Sequence, residues 1–262
     1  MKPQFIDHAA YRQRQIGGGL SEKILNLLMP PQCPVTGEAV IAPGVLSPKG
    51  WAALHFIEAP FCDHCGVPYS TDYGEGVLCP SCIADPPSFI AARAALSYNN
   101  AAGKFVSDLK FNDRLDQVAM LARWMIRAGG DVLKPGAIIA PVPLHWRRLA
   151  ARRFNQSGLL AAEIAKQSGF ALLQRAVHRH RATPPQREIL SVSARRRNVM
   201  GAFQVKQKFV PYVRGAHVIL IDDVLTTGAT ISAAAGALRR AGADRVDALV
   251  LARVVKGGGG AI

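Results

Sequence analysis

Two adjacent carboxylates, Asp222 and Asp223, precede a turn that is rich in hydroxyl groups, Thr226–Thr230. They follow four consecutive apolar residues, Val218–Ile221, whose β-favouring side chains predict a strand buried on both faces. Open α/β sheets bind their ligands at the carboxyl ends of such strands. The sequence therefore predicts that the two acids lie at the mouth of a binding site.

The turn Thr226-Thr227-Gly228-Ala229-Thr230 is suited to hold an anion, because it opens a helix predicted over Ile231–Arg240. The first N–H groups of a helix have no partners within it, and a glycine lets a ligand approach the backbone closely. A phosphorylated sugar would place its phosphate on these amides and on the threonine hydroxyls, and its ribose hydroxyls on the two acids. The plainer alternative is a buried strand with a solvated acidic end and a capped helix.

The spacing of these residues resembles the phosphoribosyl-pyrophosphate (PRPP) motif of type I phosphoribosyltransferases, which has four apolar residues, two acids and a T-T-G-x-T loop. The resemblance implies that Asp222 and Asp223 are catalytic residues that orient the ribose, and that the five residues of the turn bind the phosphate. It also implies Mg²⁺ as the cofactor that accompanies PRPP.

Two C-x2-C pairs, Cys62/Cys65 and Cys79/Cys82, are separated by thirteen residues. Each pair can place two thiolates on one metal ion from a tight turn, so the four sulfurs predict a tetrahedral structural Zn²⁺ site. The alternatives are disulfides, which a reducing cytoplasm disfavours, and redox pairs, which would need a βαβ context that is missing around them. We expect His64, which lies between the ligands, to be a solvated residue, a fifth ligand being the alternative.

The formal net charge of +14 over 262 residues is unevenly distributed. Residues 1–90 hold 5 Lys or Arg and 8 Asp or Glu, whereas residues 144–197 hold 12 basic residues and only 2 acids. We therefore expect an anionic partner for the second segment, a solvated surface being the alternative. Polar residues interrupt the apolar stretch Leu20–Met29, so neither a signal peptide nor a membrane span is expected, and the chain is predicted to be cytoplasmic.

The proline-rich segment Asp85–Ser88 is predicted to link two parts of the chain. Residues 1–88 are expected to hold a short helix over 20–29 and the zinc-binding module, and residues 89–262 a larger domain. In that domain the predicted strands are 91–98, 137–140, 218–221 and 248–252, and the predicted helices are 101–111, 115–126, 157–167 and 231–240. This alternation is typical of an α/β fold with a doubly wound parallel sheet.

Three further segments are candidates for ligand contacts. Pro141-Val142-Pro143 follows a predicted strand, and so stiff a loop could hold its amides towards a pyrophosphate through an unusual peptide conformation; a rigid strand exit is the alternative. The basic loop 145–156 and the basic segment 178–197 contain arginines suited to phosphates or nucleic acid. We expect the latter segment to be a mobile flap, a disordered surface loop being the alternative.

The order of the motifs along the chain resembles the ComF family, whose members combine an N-terminal zinc module with a type I phosphoribosyltransferase-like domain. Besides the cysteine pairs and the PRPP motif, the segments that carry the resemblance are Pro31–Cys33, Leu109–Phe111, Pro141–Leu144, Arg152–Gln156, Thr183–Gln186, Arg195–Asn198 and Ala202-Phe203. The resemblance implies a role in DNA uptake during natural competence, with DNA-uptake proteins and single-stranded DNA as partners. It also implies pyrophosphate-loop and basic-loop contacts from Pro141, Val142, Pro143, Arg152, Asn155, Gln156, Lys110, Gln186 and Arg195.

The chain departs from the family pattern in two places. Relatives carry further C-x2-C pairs near Cys33 and residues 46–56, where this chain has Cys33-Pro34-Val35-Thr36 and Trp51-Ala52-Ala53. We therefore expect one metal ion, with Cys33 as a small buried side chain outside its site. Arg153 stands where the family usually has glycine, so we expect the backbone approach to differ there.

Two functions of different classes fit these residues. In the first, the protein is an enzyme that displaces pyrophosphate from Mg²⁺-bound PRPP with a nucleophile that the sequence does not identify. In the second, the fold is kept as a binding module whose basic loops hold single-stranded DNA. Neither the acceptor nor the oligomeric state is predicted.

Overall fold

The strand that carries Asp222 and Asp223 spans His217–Leu225 and lies in the middle of a five-stranded parallel sheet. The structure is a computed structural model that describes residues 30–111, 115–144, 155–180, 199 and 201–255. By their contacts, residues 1–53 and 54–262 form two units. The sheet and the four paired cysteines belong to the second unit.

The described strands are β1 (Ala92–Ser97), β2 (Ile138–Pro141), β3 (Ala171–Leu172), β4 (Val177–Arg179), β5 (Phe203–Val205), β6 (His217–Leu225) and β7 (Arg245–Arg253). The described helices are α1 (Pro48–Ala52), α2 (Pro80–Ala84), α3 (Asn100–Phe111), α4 (Val118–Ala128), α5 (Gln156–Ser168), α6 (Val210–Val213) and α7 (Ala229–Arg240). Short 3-10 turns cover Leu115–Gln117 and Gln207–Phe209. The sheet has the order β1-β7-β6-β2-β3 with all neighbours parallel, and β4 pairs with β5 in antiparallel orientation.

Strand β6 is buried on both faces along its apolar run, Val218–Ile221. Val218 and Leu220 pack in one cluster with apolar residues of α7. Ile219 and Ile221 alternate to the opposite face, where α5 contacts β6 and β2. Each of these side chains contributes about 1.5–3 kcal/mol by its burial, so the strand beneath the two acids is firmly fixed.

The strand β6 is longer than its apolar run predicts, so the two acids lie within the strand and not after it. The neighbouring strand β7 supplies partners for these residues, with Asp222 opposite Val250 and Val224 opposite Ala252. Pairing with β7 therefore sets the end of the strand. Helix α7 begins at Ala229, two residues before the predicted start, and Gly228 precedes it with a left-handed φ of 76°.

The described part of the first unit, residues 30–53, contains helix α1, which has no counterpart in the predicted elements. The helix predicted over residues 20–29 lies outside the described residues. The domain boundary predicted between residues 88 and 89 stays a prediction, while the division by contacts falls between Ala53 and Leu54. None of the described helices is long and apolar enough to cross a membrane.

The basic segment 178–197 begins within regular structure. His178 and Arg179 belong to β4, which pairs with β5, and the guanidinium of the buried Arg179 lies 5.4 Å from the ring centre of Phe203. The expectation of a mobile flap is therefore wrong for the first residues of this segment, because pairing and burial hold them. Residues 181–198 lie outside the described part of the chain.

Candidate functional site

The two acids of β6 are held by side chains from two helices. Ser157 Oγ, in the first turn of α5, donates to Asp222 Oδ1 at 2.8 Å. Lys110 Nζ, in the last turn of α3, lies 2.7 Å from Asp223 Oδ2, and these two side chains are 21% and 15% exposed. Because the pair remains accessible to solvent, hydroxyl groups of a ligand could compete with Lys110 for Asp223.

The backbone also contributes to the arrangement, since the Asp223 N–H donates to Asp222 Oδ1 at 2.9 Å. Burial raises the pKa of Asp222 from 3.8 to about 7, and the neighbouring Asp223 carboxylate adds to the increase. Hydrogen bonds from Ser157 and from the Asp223 amide act in the opposite direction but do not cancel it. Near neutral pH the carboxyl of Asp222 is therefore partly protonated, and a bound cation would lower its pKa again.

The turn after β6 joins the strand to α7 through a glycine in the left-handed conformation. Gly228 adopts a φ of 76°, and a Cβ at this position would lie 3.6 Å from Leu225 Cδ1 and 3.7 Å from Phe89 Cε1. Space is therefore available there, and the left-handed conformation is what favours glycine. The turn leads directly into α7, whose 12 residues add the positive end of a helix dipole.

The proline-flanked exit of β2 does not present its amides as expected. Prolines have no N–H, and the Val142 N–H donates to the Ile221 carbonyl at 2.9 Å. The Val142 carbonyl accepts from Asn155 Nδ2 at 3.1 Å. The peptide bonds of residues 140–144 are all trans. This geometry agrees with a rigid strand exit. Val142 has the one N–H group of Pro141–Pro143, and that group is already hydrogen-bonded between β2 and β6.

A cleft of about 450 Å³ lies beside this exit. Its lining residues are Pro143, Leu144, Asn155, Gly158, Gln174, Arg175, Val177 and Lys206. Its lining includes Asn155 and Gly158, so the cleft adjoins the same turn of α5 from which Ser157 contacts Asp222. The two cations in its wall would suit an anionic ligand or leaving group.

The remaining residues that the sequence predicts to contact the ligand are Gln156, Arg152, Gln186 and Arg195. Gln156 is 1% exposed, and its Nε2 has no hydrogen-bond partner among the described residues, so its side chain is directed into the protein. Arg152, Gln186 and Arg195 lie outside the described residues. Sequence reasoning did not find Ser157, which is 65 residues from Asp222. Its position directly after the Arg152–Gln156 motif is the one indication that could have drawn attention to it.

The four paired cysteines form a buried cluster with all sulfurs within 4.8 Å of one another. Cys65 Sγ and Cys79 Sγ are 3.6 Å apart, and the Cys79 N–H donates to Cys62 Sγ at 3.2 Å. A tetrahedron of thiolates at about 2.3 Å from Zn²⁺ requires similar sulfur separations, so the cluster fits one structural zinc ion. Burial raises the pKa of Cys82 to about 12, and a dication at this place would stabilise the thiolates instead.

Two neighbours connect the cluster to the sheet. Arg253, at the end of β7, donates from Nη1 to the Cys65 carbonyl at 2.7 Å, and its Nη2 lies 3.3 Å from Cys65 Sγ. His64 is half-buried and therefore less solvated than expected, since its Nε2 lies 2.6 Å from the Phe89 carbonyl oxygen and its ring packs edge-on against the Phe89 ring. Contacts of this kind orient the ligands of a metal and stabilise their charge.

Comparison with known proteins agrees with both parts of this description. Residues 157–259 match the phosphoribosyl transferase domain family, and residues 24–84 match the double zinc ribbon domain family. The DNA utilization protein YhgH of Salmonella typhimurium is 34% identical over 200 residues, which is 74% of this chain and 84% of that protein. Competence protein F of Haemophilus influenzae is 31% identical over 203 residues, 74% of this chain and 85% of that protein. The chain belongs to the ComF family.

In this ComF-family chain the transferase match includes β6, the turn and α7, so the family assignment and the parallel sheet together identify a phosphoribosyltransferase-like α/β fold. Among solved structures, the chain is similar to glutamine PRPP amidotransferase from B. subtilis complexed with ADP and GMP. That similarity has 16% identity and a TM-score of 0.36 over 54% of this chain and 30% of the other.

Proposed function

We propose that this ComF-family protein binds a phosphorylated ribose of the PRPP type, together with Mg²⁺, at the carboxyl end of β6. The observation that carries the proposal is the pair Asp222 and Asp223, held by Ser157 and Lys110 directly before a glycine turn that opens α7. A carboxylate pair accepts hydrogen bonds from hydroxyl groups, and the N–H groups at a helix start donate hydrogen bonds to phosphate oxygens. The two features lie in succession on one strand–turn–helix unit, as the two ends of such a ligand require.

The ligand would take over interactions that the free protein makes internally. Ribose hydroxyls would donate to the acids and displace Lys110 from Asp223, while the 5′-phosphate would bind at Thr226–Thr230. Mg²⁺ would bind pyrophosphate oxygens near Asp222 and the exit of β2, where it would lower the raised pKa of that carboxyl. The cations of the neighbouring cleft, Arg175 and Lys206, would stabilise the pyrophosphate as a leaving group.

Transfer chemistry would follow from this arrangement if an acceptor attacks the anomeric carbon of the ribose while the bond to the pyrophosphate oxygen breaks. The cleft beside the exit of β2 is the described cavity that could admit an acceptor. We propose the binding step as the primary function and assign no acceptor. The names of the relatives, a DNA utilization protein and a competence protein, support a role in the uptake or use of DNA.

Calorimetry with PRPP in the presence and absence of Mg²⁺ tests the proposal. We expect binding that requires Mg²⁺ and that weakens by about 1.5–3 kcal/mol, roughly 10- to 150-fold, when Thr227→Ala or Asp223→Ala removes a bond to a charged group. Asp244→Ala, a change of an exposed acid in the same unit, is the matched control and should leave the affinity unchanged. Absence of both heat and a thermal shift with PRPP and Mg²⁺ would contradict the proposal.

A second candidate function is binding of single-stranded DNA without catalysis. The 12 basic residues against 2 acids in residues 144–197 favour it, because phosphate contacts dominate affinity for nucleic acids. We expect the affinity for a labelled oligonucleotide to fall steeply with salt, and to fall further when Arg147, Arg148, Arg152 and Arg153 are replaced by alanine. Single strands should bind better than duplexes if Trp146 and Phe154 stack on bases. Unchanged affinity in the four-arginine variant would count against this function.

A further inference from the structure

The segment 31–53 has the same backbone design as the segment 60–84 that carries the cysteine cluster. In the first segment the turn is closed by the hydrogen bonds Cys33 N–H to Glu38 O at 2.7 Å, Gly37 N–H to Cys33 O at 2.8 Å and Val40 N–H to Pro31 O at 2.8 Å. In the second segment the corresponding bonds are Cys62 N–H to Val67 O at 2.8 Å, Gly66 N–H to Cys62 O at 2.7 Å and Tyr69 N–H to Pro60 O at 2.9 Å. All three bonds correspond with the same residue offset, so the two turns are structural repeats.

The second half of each segment repeats as well. Gly37 and Gly66 close the turns with φ values of 76° and 68°. Each segment then ends in a five-residue helix, α1 or α2, with proline at the start. The residue before this proline is Ser47 in the first segment and Cys79 in the second. The loop between turn and helix is three residues shorter in the first segment, and both segments otherwise keep the same order of elements.

The repeat shows which residues of the first segment stand at the ligand positions of the second. The positions of Cys62, Cys65, Cys79 and Cys82 correspond to Cys33, Thr36, Ser47 and Gly50. Neither a neutral hydroxyl nor a glycine belongs to the usual zinc ligands, which are thiolates, imidazoles and carboxylates. The whole chain has 5 cysteines, of which 4 are in the cluster, so Cys33 is the single thiol left for the first segment.

In the first segment, hydrogen bonds join the turn to helix α1 at the place where a metal ion would join them in a zinc ribbon. Thr36 Oγ1 and Ser47 Oγ are 2.9 Å apart, and the Gly50 N–H donates to Ser47 Oγ at 3.1 Å. In the second segment Cys79, at the position of Ser47, makes no such cap. Burial raises the pKa of the Cys33 thiol, but hydrogen bonds with Thr36 and Ser47 lower it overall, to about 6.

Gly50, at the position of the fourth ligand, has no room for a larger side chain. A Cβ added at Gly50 would lie 2.7 Å from Cys33 Sγ, a distance at which one of the two atoms must move. Cys33 is 1% exposed, so its sulfur occupies interior space that the fourth side chain would need. The interior of the first segment is therefore packed around its own side chains.

We propose that residues 31–53 are a metal-free copy of the zinc ribbon, in which the hydrogen bond between Thr36 and Ser47, the Ser47 cap of α1 and the packed side chain of Cys33 take the place of the metal ion. The chain then binds one zinc ion, although the family that matches residues 24–84 is a double zinc ribbon. The helix cap that Ser47 provides compensates in part for the metal–ligand bonds that the second ribbon has.

Zinc content of equivalent variants in the two ribbons tests the proposal on the full chain. Purified under reducing conditions, the protein should contain one equivalent of zinc. Cys33→Ala and Ser47→Ala should leave that value at one, while Cys62→Ala and Cys79→Ala, the equivalent changes in the second ribbon, should reduce it to zero. Two equivalents in the unchanged protein, of which Cys33→Ala removes one, would overturn the proposal.

Hydrogen exchange during chelation gives a second readout that does not depend on counting metal ions. On removal of zinc, the amides of Cys62, Gly66 and Tyr69 should lose protection, because their ribbon depends on the metal. The amides at positions 33, 37 and 40 should keep theirs, and loss of protection there would contradict a metal-free interior. The combined variant Thr36→Cys, Ser47→Cys and Gly50→Cys should raise the zinc content from one to two equivalents; a value of one with intact protection of the repeat would contradict the correspondence of positions.

Discussion

Replacing Asp222 by asparagine should stabilise the ligand-free protein near neutral pH, although it removes a group proposed to bind ribose. The carboxyl has a pKa of about 7 in the folded protein against an ordinary value of 3.8. Each pKa unit corresponds to ~1.36 kcal/mol, so the difference between 3.8 and about 7 sets an upper value of about 4 kcal/mol for the destabilisation by ionised Asp222. Because the side chain is partly exposed, solvent screening lowers this value, and we expect about 2–4 kcal/mol. An asparagine keeps the oxygen that accepts from Ser157 and from the Asp223 amide, and it has no charge.

The sign of the effect with pH follows from proton linkage. Below pH 3.8 the carboxyl is protonated in both the folded and the unfolded chain, and it contributes no difference. As the pH rises from 3.8 to 7, the unfolded chain releases the proton while the folded protein keeps it, so the free energy of unfolding falls. Above pH 7 both states are ionised and the loss is complete.

Urea unfolding of the protein and of Asp222→Asn at pH 5 and pH 8 measures this difference. The variant should be more stable by about 2–4 kcal/mol at pH 8, and by less than half of that at pH 5. Asp244→Asn, a change of an exposed acid, is the control and should shift neither value much. An equal effect of Asp222→Asn at both pH values, or a destabilisation at pH 8, would refute the reasoning.

Three further outcomes follow from the described contacts. Burial of Asp247 raises the pKa of its carboxyl, but the contacts with His217 and Arg245 lower it overall. Its contribution to stability is therefore present above about pH 4 and is lost progressively as the pH falls further, so Asp247→Asn should lower the urea midpoint at pH 6 more than at pH 3. Arg253→Ala should weaken zinc binding roughly 10- to 100-fold in a competition with chelator, and equal affinity would show that its contact with the cluster is incidental. Gly228→Ala should reduce the free energy of unfolding by about 1 kcal/mol, because alanine is strained at a φ of 76°, and an unchanged value would mean that the turn adopts another conformation.

Sequence patterns predicted the elements that depend only on residues close together in the chain. The apolar run before Asp222 predicted a central buried strand, and the four paired cysteines predicted their cluster, because spacing alone brings such thiols within reach of one metal ion. The end of β6 was placed too early, since pairing with β7 decides it and the partner is not visible in the apolar run. His64 is less solvated than expected for a related reason, as its partner, the Phe89 carbonyl, is 25 residues away.

Contacts between distant residues were the parts that sequence reasoning could not supply. The bond from Ser157 to Asp222 spans 65 residues, and the one from Arg253 to Cys65 spans 188. The family resemblance indicated that cysteine pairs near Cys33 and residues 46–56 are absent from this chain. The backbone repeat itself, with Thr36, Ser47 and Gly50 at ligand positions, was not predicted, because hydrogen bonds of the main chain define it.

The position of β1 at the edge of the sheet has a consequence for the order in which the chain is synthesised. Its partner in the sheet is β7, so β1 and the cysteine cluster before it leave the ribosome long before the strand with which β1 pairs. The four thiols can capture a metal ion early, whereas Arg253 reaches Cys65 only after 188 further residues have been made. A nascent chain stopped before β7 would thus hold β1 through contacts such as those with α4, and completion of the final strand is what joins β1 to β6 in the sheet.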